Sequence, residues 1–379
     1  MTKAQDLVFE LLLVSTGAQK RLSHSYTDKE WEEAYCMAEE QTVSGVLLDA
    51  LERLQQNANR NENENSNLNV NPNVNGGRGM LPSKLLLLQW IGNCQIIEAE
   101  TKRLEEAAET TVRYFRENGF ACQILKGCAV GRYYPNPLRR SSGDIDVWVD
   151  GGREKIYDFA RKFDKDGKLY GVNYHHIHFH LIEDVHIEVH IWPSFLSSPL
   201  RSWRLHKFCN MYRPTMETDK PSLAFDRVFI LLHAYQHFCG HGLGLRQVMD
   251  YFYVSKQGFT EEERSDAVYW IKQLGMKRFA CGLMWVLQYY FGLEEQYLLM
   301  EPDEKEGKFI IREVMLTGNM GHSDTRNWGS MKTPMSRFVL NLRRDVYLAG
   351  HYPHEALWQP FFSIWLYFWR LSKGLLSRD

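Results

Sequence analysis

The sequence predicts an α+β fold in which a small mixed sheet is flanked by helices at both ends of the chain. Apolar residues recur at helical spacing before residue 118 and after residue 196, whereas short strand-like runs alternate with turns in between. The chain has 379 residues, 44% of them hydrophobic and 13% aromatic, which is enough for two or three packed domains. We therefore predict an N-terminal helical region at 1–118, an α/β core at 119–195 and a C-terminal helical domain at 196–379.

The N-terminal region is predicted to hold two helices within 4–55 and a long helix at 82–118. The second helix of the first pair spans 28–54 and follows Thr27, a common N-cap residue. Every second residue from 57 to 75 is Asn. Because Asn side chains compete for backbone hydrogen bonds and favour turns, we predict a flexible exposed loop over 57–79.

Charge and cysteine content exclude several classes of protein. The chain carries 45 Lys and Arg against 47 Asp and Glu, a net charge of −2, so we expect no bulk nucleic-acid binding, although a local basic pocket remains possible. Seven scattered cysteines with no C-x-x-C pair, and no signal-peptide pattern, indicate a cytoplasmic protein. The most apolar run, 358–369, is shorter than the about 20 residues that a membrane span needs. We expect a buried terminal helix there, with contact at a membrane surface as the alternative.

The core region contains two acids that are two residues apart on a predicted strand. Strand-like runs occur at 122–125 and 144–149, and Asp144 and Asp146 point to the same side of the second run. Neighbouring carboxylates repel each other unless a cation neutralises them, and Mg²⁺ prefers such ligands together with phosphate oxygens. A strand whose polar face meets water has the same pattern, so the pair alone leaves both interpretations open.

Residues near this pair favour a phosphate-binding site. Lys126 and Gly127 follow the first strand, where a glycine lets backbone amides approach a phosphate. A third acid, Glu188, lies within an apolar strand-like run. The cations and the hydroxyl that directly precede Asp144 complete the predicted set of nucleotide contacts: Arg139, Arg140 and Ser142.

The motifs that contain these residues resemble the uncharacterised nucleotidyltransferase family of the DNA-polymerase-beta-like superfamily. They are LKG at 125–127, YYPNPLRRSSGDIDVWV at 133–149 and HIEVHIW at 186–192. Matched position by position, Gly127 takes the glycine after the first strand, Asp144 and Asp146 take the metal-binding pair, and Glu188 takes the third acid. Cys128 departs from the serine that the superfamily often has, and the interval from Gly127 to Asp144 is longer than usual.

The resemblance implies a metal-dependent transfer of a nucleoside monophosphate from an NTP to an acceptor hydroxyl, with release of pyrophosphate. Two Mg²⁺ ions would be held by Asp144, Asp146 and Glu188, and Lys126 and Arg140 would neutralise charge on the leaving group. The near-neutral charge favours a small molecule or a protein as acceptor. Two alternatives remain: a catalytically silent nucleotide-binding regulator of the same fold, and a toxin–antitoxin component.

Histidines cluster on the two strand-like runs at 174–181 and 185–192. A three-residue turn between the runs pairs His178 with Glu188 and places all apolar residues on the opposite face, and we therefore prefer this register. We predict that His178, His186 and His190 contact the acceptor or nucleotide; a zinc site and a merely polar sheet face are the alternatives.

One further pair of predicted site residues lies in the C-terminal domain. Arg246 and Asp250 are one helical turn apart, which is typical of an ion pair but also allows a place in the acceptor pocket.

Overall fold

The computed structural model describes residues 2–66, 80–240, 242–321, 324, 326 and 334–375. The predicted α+β class is confirmed: helices at both ends of the chain surround a four-stranded mixed sheet. None of the helices in these ranges is both long enough and apolar enough to cross a membrane.

The N-terminal helices are α1 (Lys3–Thr16), α2 (Asp28–Glu40), α3 (Ser44–Ser66) and α4 (Lys84–Glu117). The single helix predicted over 28–54 is wrong, because the chain breaks at Thr42, where φ is +54°. The buried Gln41 side chain holds this break by donating to the Val314 carbonyl at 3.1 Å and accepting from the Leu245 amide at 2.9 Å. Contacts with distant residues thus override the local helical pattern.

The first part of the Asn-rich segment is helical, whereas a loop was predicted there. Helix α3 continues to Ser66, so the first ten residues of the predicted 57–79 loop are helical. The remainder, 67–79, lies outside the described residues.

The sheet is built from β1 (Cys122–Ile124), β2 (Ile145–Val149), β3 (His176–His178) and β4 (Ile187–His190), with α5 (Lys126–Gly131) and α6 (Gly152–Phe163) between strands. The strand order is β1-β2-β4-β3; β2 and β4 are parallel, and the outer pairs are antiparallel. The predicted register of the histidine strands is confirmed, since His178 lies opposite Glu188.

The two faces of the sheet differ in character. One face is apolar and packs against α4 and α6, with Val147 and Val189 sharing a buried cluster with Phe115 and Ile156. Because side chains alternate along a strand, this burial directs the acids of β2 and β4 to the other face. Asp146 and Glu188 are direct partners across the parallel pair and therefore lie side by side.

The C-terminal helices are α7 (Pro199–Met211), α8 (Leu223–Cys239), α9 (Leu245–Ser255), α10 (Glu261–Gln273), α11 (Lys277–Phe291), α12 (Glu304–Thr317), α13 (Pro334–Leu348) and α14 (Pro353–Ser372). They share one apolar core with the N-terminal helices; the ring centroids of Phe9 and Tyr290, for example, are 4.2 Å apart. The helices of the first and third predicted regions, 1–118 and 196–379, thus pack together around this core. The boundaries at 118 and 195 describe the order of the regions along the sequence.

A short 3₁₀ turn at Pro137–Arg139 connects these layers just before the acids. The Arg139 guanidinium donates to Asp49 at 2.6 Å, to Glu52 at 2.8 Å and to Glu98 at 2.9 Å, which ties the turn to α3 and α4. The backbone of the turn lies so close to α3 that a Cβ atom on Gly45 would stand 2.2 Å from the Arg139 carbonyl oxygen.

We predict that Gly45→Ala lowers the free energy of unfolding by about 1–3 kcal/mol, because the added methyl group collides with backbone that three ion pairs hold in place. Gly92→Ala is the matched control: a Cβ atom there meets nothing within 4 Å in α4. It should raise stability by about 0.5–1 kcal/mol through helix propensity. Denaturant unfolding measures both effects, and equal effects of the two substitutions would contradict the close packing of α3 on the turn.

Candidate functional site

The polar face of the sheet and the C-terminal helices enclose one cleft of about 380 Å³. Small-molecule sites usually have volumes of this order. The sheet side of the cleft includes Lys126, Asp144, Glu188 and His190, and the helical side includes residues of α8, α9, α13 and α14.

Asp146 lies at the base of the acidic group and is 1% exposed. Its carboxylate is 3.0 Å from the Lys126 ammonium and 2.7 Å from Nε2 of His190. Burial by itself would raise the pKa of Asp146, but Lys126 and His190 outweigh burial and hold that pKa below its ordinary value. Asp146 is therefore a buried and ionised acid between two cationic side chains.

Asp144 is in the opposite situation. In the described part of the chain its carboxylate has no hydrogen-bond or ion-pair partner. The pKa of Asp144 is raised, mainly by the negative charge of Asp146 and then by burial, while Lys126 offsets only part of this effect. The pair thus carries negative charge that the surrounding side chains leave uncompensated.

Glu188 is open to the cleft and surrounded by imidazoles. One carboxylate oxygen is 3.3 Å from Nδ1 of His176 and 3.4 Å from Nε2 of His190, and the other is 3.9 Å from Nε2 of His178. Burial opposes ionisation of Glu188, but the hydrogen bond from His190, together with the positive charges of His190 and Lys126, outweighs it and lowers the pKa.

His190 connects two of the three acids. Its burial would lower the pKa, yet the hydrogen bonds to Asp146 and Glu188 raise the pKa to about 9. We infer that His190 is an imidazolium at neutral pH. Its nearest imidazole neighbour on the next strand, His176, is neutral, because burial lowers its pKa to about 3.

The backbone at the start of α5, from which the Lys126 ammonium reaches Asp146, adopts an unusual conformation. Lys126 has a φ of +28° and Gly127 a φ of +37°. A non-glycine residue in this region is strained, and such strain is typical of functional sites. The strain turns the Lys126 side chain back toward the acids and leaves Gly127 on the cleft wall.

The donor groups fit a divalent cation. The ligand atoms of Asp146, Glu188 and His190 lie within 4.8 Å of one another, and so do those of Asp144, His186 and Glu188. Glu188 belongs to both groups, so the three predicted acids form one continuous set of oxygen ligands. The uncompensated charge on Asp144 is the observation that supports a cation there, since carboxylate oxygens are the ligands that Mg²⁺ prefers.

Most of the other predicted residues also meet in the cleft. Arg140, Ser142, Arg246 and Asp250 line it, together with Gly127. His178 and His186 lie beside Glu188 and Asp144, with their ring centroids 4.5 Å apart. Arg139 does not reach the cleft, because its guanidinium is fully engaged by the three carboxylates of α3 and α4. The expectation that Arg139 contacts the nucleotide is therefore corrected to a structural role.

Arg140 and Asp250 form the buried ion pair of the site. Two guanidinium nitrogens of Arg140 donate to the two Asp250 oxygens at 2.7 Å each, and the Tyr134 hydroxyl donates to the same carboxylate at 2.7 Å. The expected ion pair between Arg246 and Asp250 is thus replaced by a pair between elements. A third nitrogen of Arg140 donates to the Ser142 hydroxyl at 3.0 Å and so positions the segment before Asp144.

Arg246 retains unused hydrogen-bonding capacity. One of its terminal nitrogens donates to the Ser141 carbonyl at 2.9 Å, while Nε is buried and has no partner among the residues described. The pKa of Arg246 is lowered by burial and by the neighbouring Arg140, yet it remains a cation facing the cleft near Asp144.

The last two helices also line the cleft, although the sequence did not predict this. Asn341 and Asp345 on α13, and Glu355 and Gln359 on α14, line the end of the cleft away from β2. Each pair is four residues apart, which is a sequence signal for one helical face. The sequence carries no indication that this face lines the same cleft as Asp144 and Glu188.

A family model described as "Uncharacterised nucleotidyltransferase" matches residues 27–292. The match covers more than half of the chain, so the protein belongs to this family and is an enzyme of the nucleotidyltransferase class. The matched range contains every strand of the sheet and all three acids, and it ends before α12. No curated protein and no solved structure matches the chain significantly.

The two neighbouring aspartates are predicted to respond oppositely to neutral substitution in the metal-free protein. Asp144→Asn relieves repulsion and should raise stability by about 0.5–2 kcal/mol, as often happens when a functional site loses its strain. Asp146→Asn leaves Lys126 and His190 without their buried partner and should cost about 3–5 kcal/mol. Thermal unfolding in the presence of a chelator measures both, and a loss of stability in both variants would contradict the charge distribution described above.

Proposed function

We propose that this nucleotidyltransferase moves a nucleoside monophosphate from an NTP to a hydroxyl group of a small molecule or protein, in a reaction that depends on Mg²⁺. The observation that carries the proposal is that Asp144 and Glu188 line the cleft, that the buried Asp146 lies beside Glu188, and that negative charge is left over at Asp144. An acidic group of this kind beside a cavity of small-molecule size fits a metal–nucleotide complex.

In the proposed reaction, the acceptor oxygen forms a bond to the α-phosphorus while the bond from that phosphorus to the β-phosphate oxygen breaks. Pyrophosphate leaves with the electron pair, and the hydroxyl proton passes to Glu188. Glu188 is placed for this step because its carboxylate lines the cleft, where a bound acceptor hydroxyl would lie within reach. The Mg²⁺ ions held by the three acids would supply positive charge to the triphosphate and activate the acceptor hydroxyl.

The chain's own cations have distinct proposed roles. Arg246 lines the cleft near Asp144, and its guanidinium is placed to attract phosphate oxygens. Lys126 neutralises Asp146, and its ammonium can move toward the negative charge that develops on the leaving group. Arg140 acts through Ser142, because its own hydrogen bonds are taken by Asp250 and that hydroxyl.

The choice of acceptor and the cellular location rest on bulk properties. A net charge of −2 favours a small molecule or a protein over a nucleic acid. All seven cysteines are free thiols, which supports a cytoplasmic location.

We expect Asp144→Asn and Glu188→Gln each to slow pyrophosphate release by at least about 10²-fold, the usual effect of removing one electrostatic element of a catalytic site. The assay supplies Mg²⁺, each of the four common NTPs and a pool of small cellular metabolites. Glu109→Gln, an exposed residue of α4, is the matched control with the same change of charge. Unchanged release in both site variants would reject the proposed catalytic group.

One observation favours a second candidate, the catalytically silent nucleotide-binding protein. The Lys126 ammonium already lies 3.0 Å from Asp146, where it can replace a metal ion as the neutralising charge. Titration calorimetry separates the two: the enzyme should bind a non-hydrolysable NTP only with Mg²⁺ present, and Lys126→Met should retain that requirement. Tight NTP binding that is independent of Mg²⁺, without turnover of any acceptor, would support the silent protein instead.

A further inference from the structure

The end of the cleft that is formed by α13 and α14 contains carboxylate oxygens without partners. Asp345 and Glu355 are each 7% exposed. Oδ2 of Asp345 and Oε2 of Glu355 are buried and accept no hydrogen bond within the described ranges, although both residues line the cleft. Leaving buried acceptors unsatisfied is costly, and a native protein usually retains them for a ligand or a functional purpose.

Nearby cations do not satisfy these oxygens. Arg344 is adjacent to Asp345 in sequence, but its guanidinium donates to the Phe238 carbonyl at 2.6 Å and to the Cys239 carbonyl at 3.1 Å. Arg201 is close enough to Glu355 to affect its ionisation, yet it forms no hydrogen bond with that carboxylate in the described structure. Within the described residues, Ser197 supplies the donors that Glu355 does receive: its amide bonds to the other carboxylate oxygen at 2.8 Å, and its hydroxyl also lowers the pKa of that carboxyl.

The charge of Glu355 also acts on Asp345. Burial raises the pKa of Asp345 to about 7, and the negative charge of Glu355 adds to this effect. A protonated amine that bonded to both groups would remove the repulsion and supply the missing donors at the same time.

The remaining wall of this end is mixed, with polar side chains beside the apolar Leu348 and Ala356. Asn341 is one helical turn from Asp345, Gln359 is one turn from Glu355, and all four face the same cavity. Ser194, in the segment after β4, and Gln236 of α8 also line it, and the two side chains are hydrogen-bonded to each other. Amide and hydroxyl groups recognise hydroxyl groups, so the polar part of this wall suits a sugar or another polyol.

We propose that this end of the cleft is the acceptor subsite and that it takes a small polyhydroxylated molecule bearing a protonated amine, such as an amino sugar. The inference rests on the proposed nucleotidyl transfer, because the same cleft continues to Glu188, where a hydroxyl of the bound molecule would be activated. The two carboxylates of the subsite lie on α13 and α14, beyond residue 292 and outside the range matched by the family, whereas Ser194 and Gln236 lie within that range.

The test compares three matched sugars, glucosamine, N-acetylglucosamine and glucose, by ligand-observed NMR and thermal shift on the full chain. Glucosamine should bind at least about tenfold more tightly than either neutral sugar, since it alone carries the ammonium group. Asp345→Asn and Glu355→Gln should abolish this preference, whereas Glu109→Gln should retain it. Equal binding of the three sugars, or no binding of glucosamine, would overturn the proposal.

Two further readouts separate this inference from misfolding and from failure of the proposed function. Asp345→Asn should raise the melting temperature of the ligand-free protein by about 2 °C or more, because an uncompensated buried charge is removed; a decrease would mean that Asp345 is a structural residue. A non-hydrolysable ATP with Mg²⁺ should bind all these variants alike and should bind together with glucosamine. Competition between the two would assign the subsite to the nucleotide, while loss of ATP binding in the wild-type protein would reject the proposed function itself.

Discussion

The ionised Asp146 carboxylate, buried between Lys126 and His190, is the interaction on which the site depends. A charge at 1% exposure is tolerated only with close partners, and both partners come from elements that the sheet brings alongside β2. The strained backbone at Lys126 and the parallel pairing of β2 with β4 each serve this arrangement. With Asp146 satisfied in this way, the charge on Asp144 is left uncompensated, and this surplus supports the proposed cation site over an ordinary polar sheet face.

The cleft is lined both by residues inside the range matched by the family and by residues beyond it. The sheet and helices up to residue 292 fall within the matched family range and supply the acids and Arg246, whereas α13 and α14 follow that range and close the far end. The chemistry and the choice of acceptor therefore reside on separate elements. A cleft with this division can keep the phosphate chemistry constant while the acceptor end changes, because substitutions on α13 or α14 leave the contacts of Asp146 intact.

Local patterns in the sequence were sufficient for the sheet and the acids. The period of two along the histidine strands determined the register, since only one pairing separates polar from apolar side chains, and that register places His178 opposite Glu188. Features that depend on distant contacts could not be predicted. The break at Thr42 is held by Gln41 bonding to residues of α9 and α12, and Arg139 is drawn away from the cleft by carboxylates on α3 and α4. In the sequence alone, Asp345 cannot be told from a charged residue at the surface, because only the packing of the helices buries it.

The most direct test of the central claim is a crystal structure with Mn²⁺ and a non-hydrolysable NTP, in which anomalous scattering locates the metal. We expect an anomalous peak bounded by Asp144, Asp146 and Glu188, with the triphosphate beside it. We also expect the ammonium of Lys126 to have turned from Asp146 toward the phosphates. A nucleotide bound elsewhere in the cleft, with no peak at the three acids and Lys126 still paired with Asp146, would contradict the central claim.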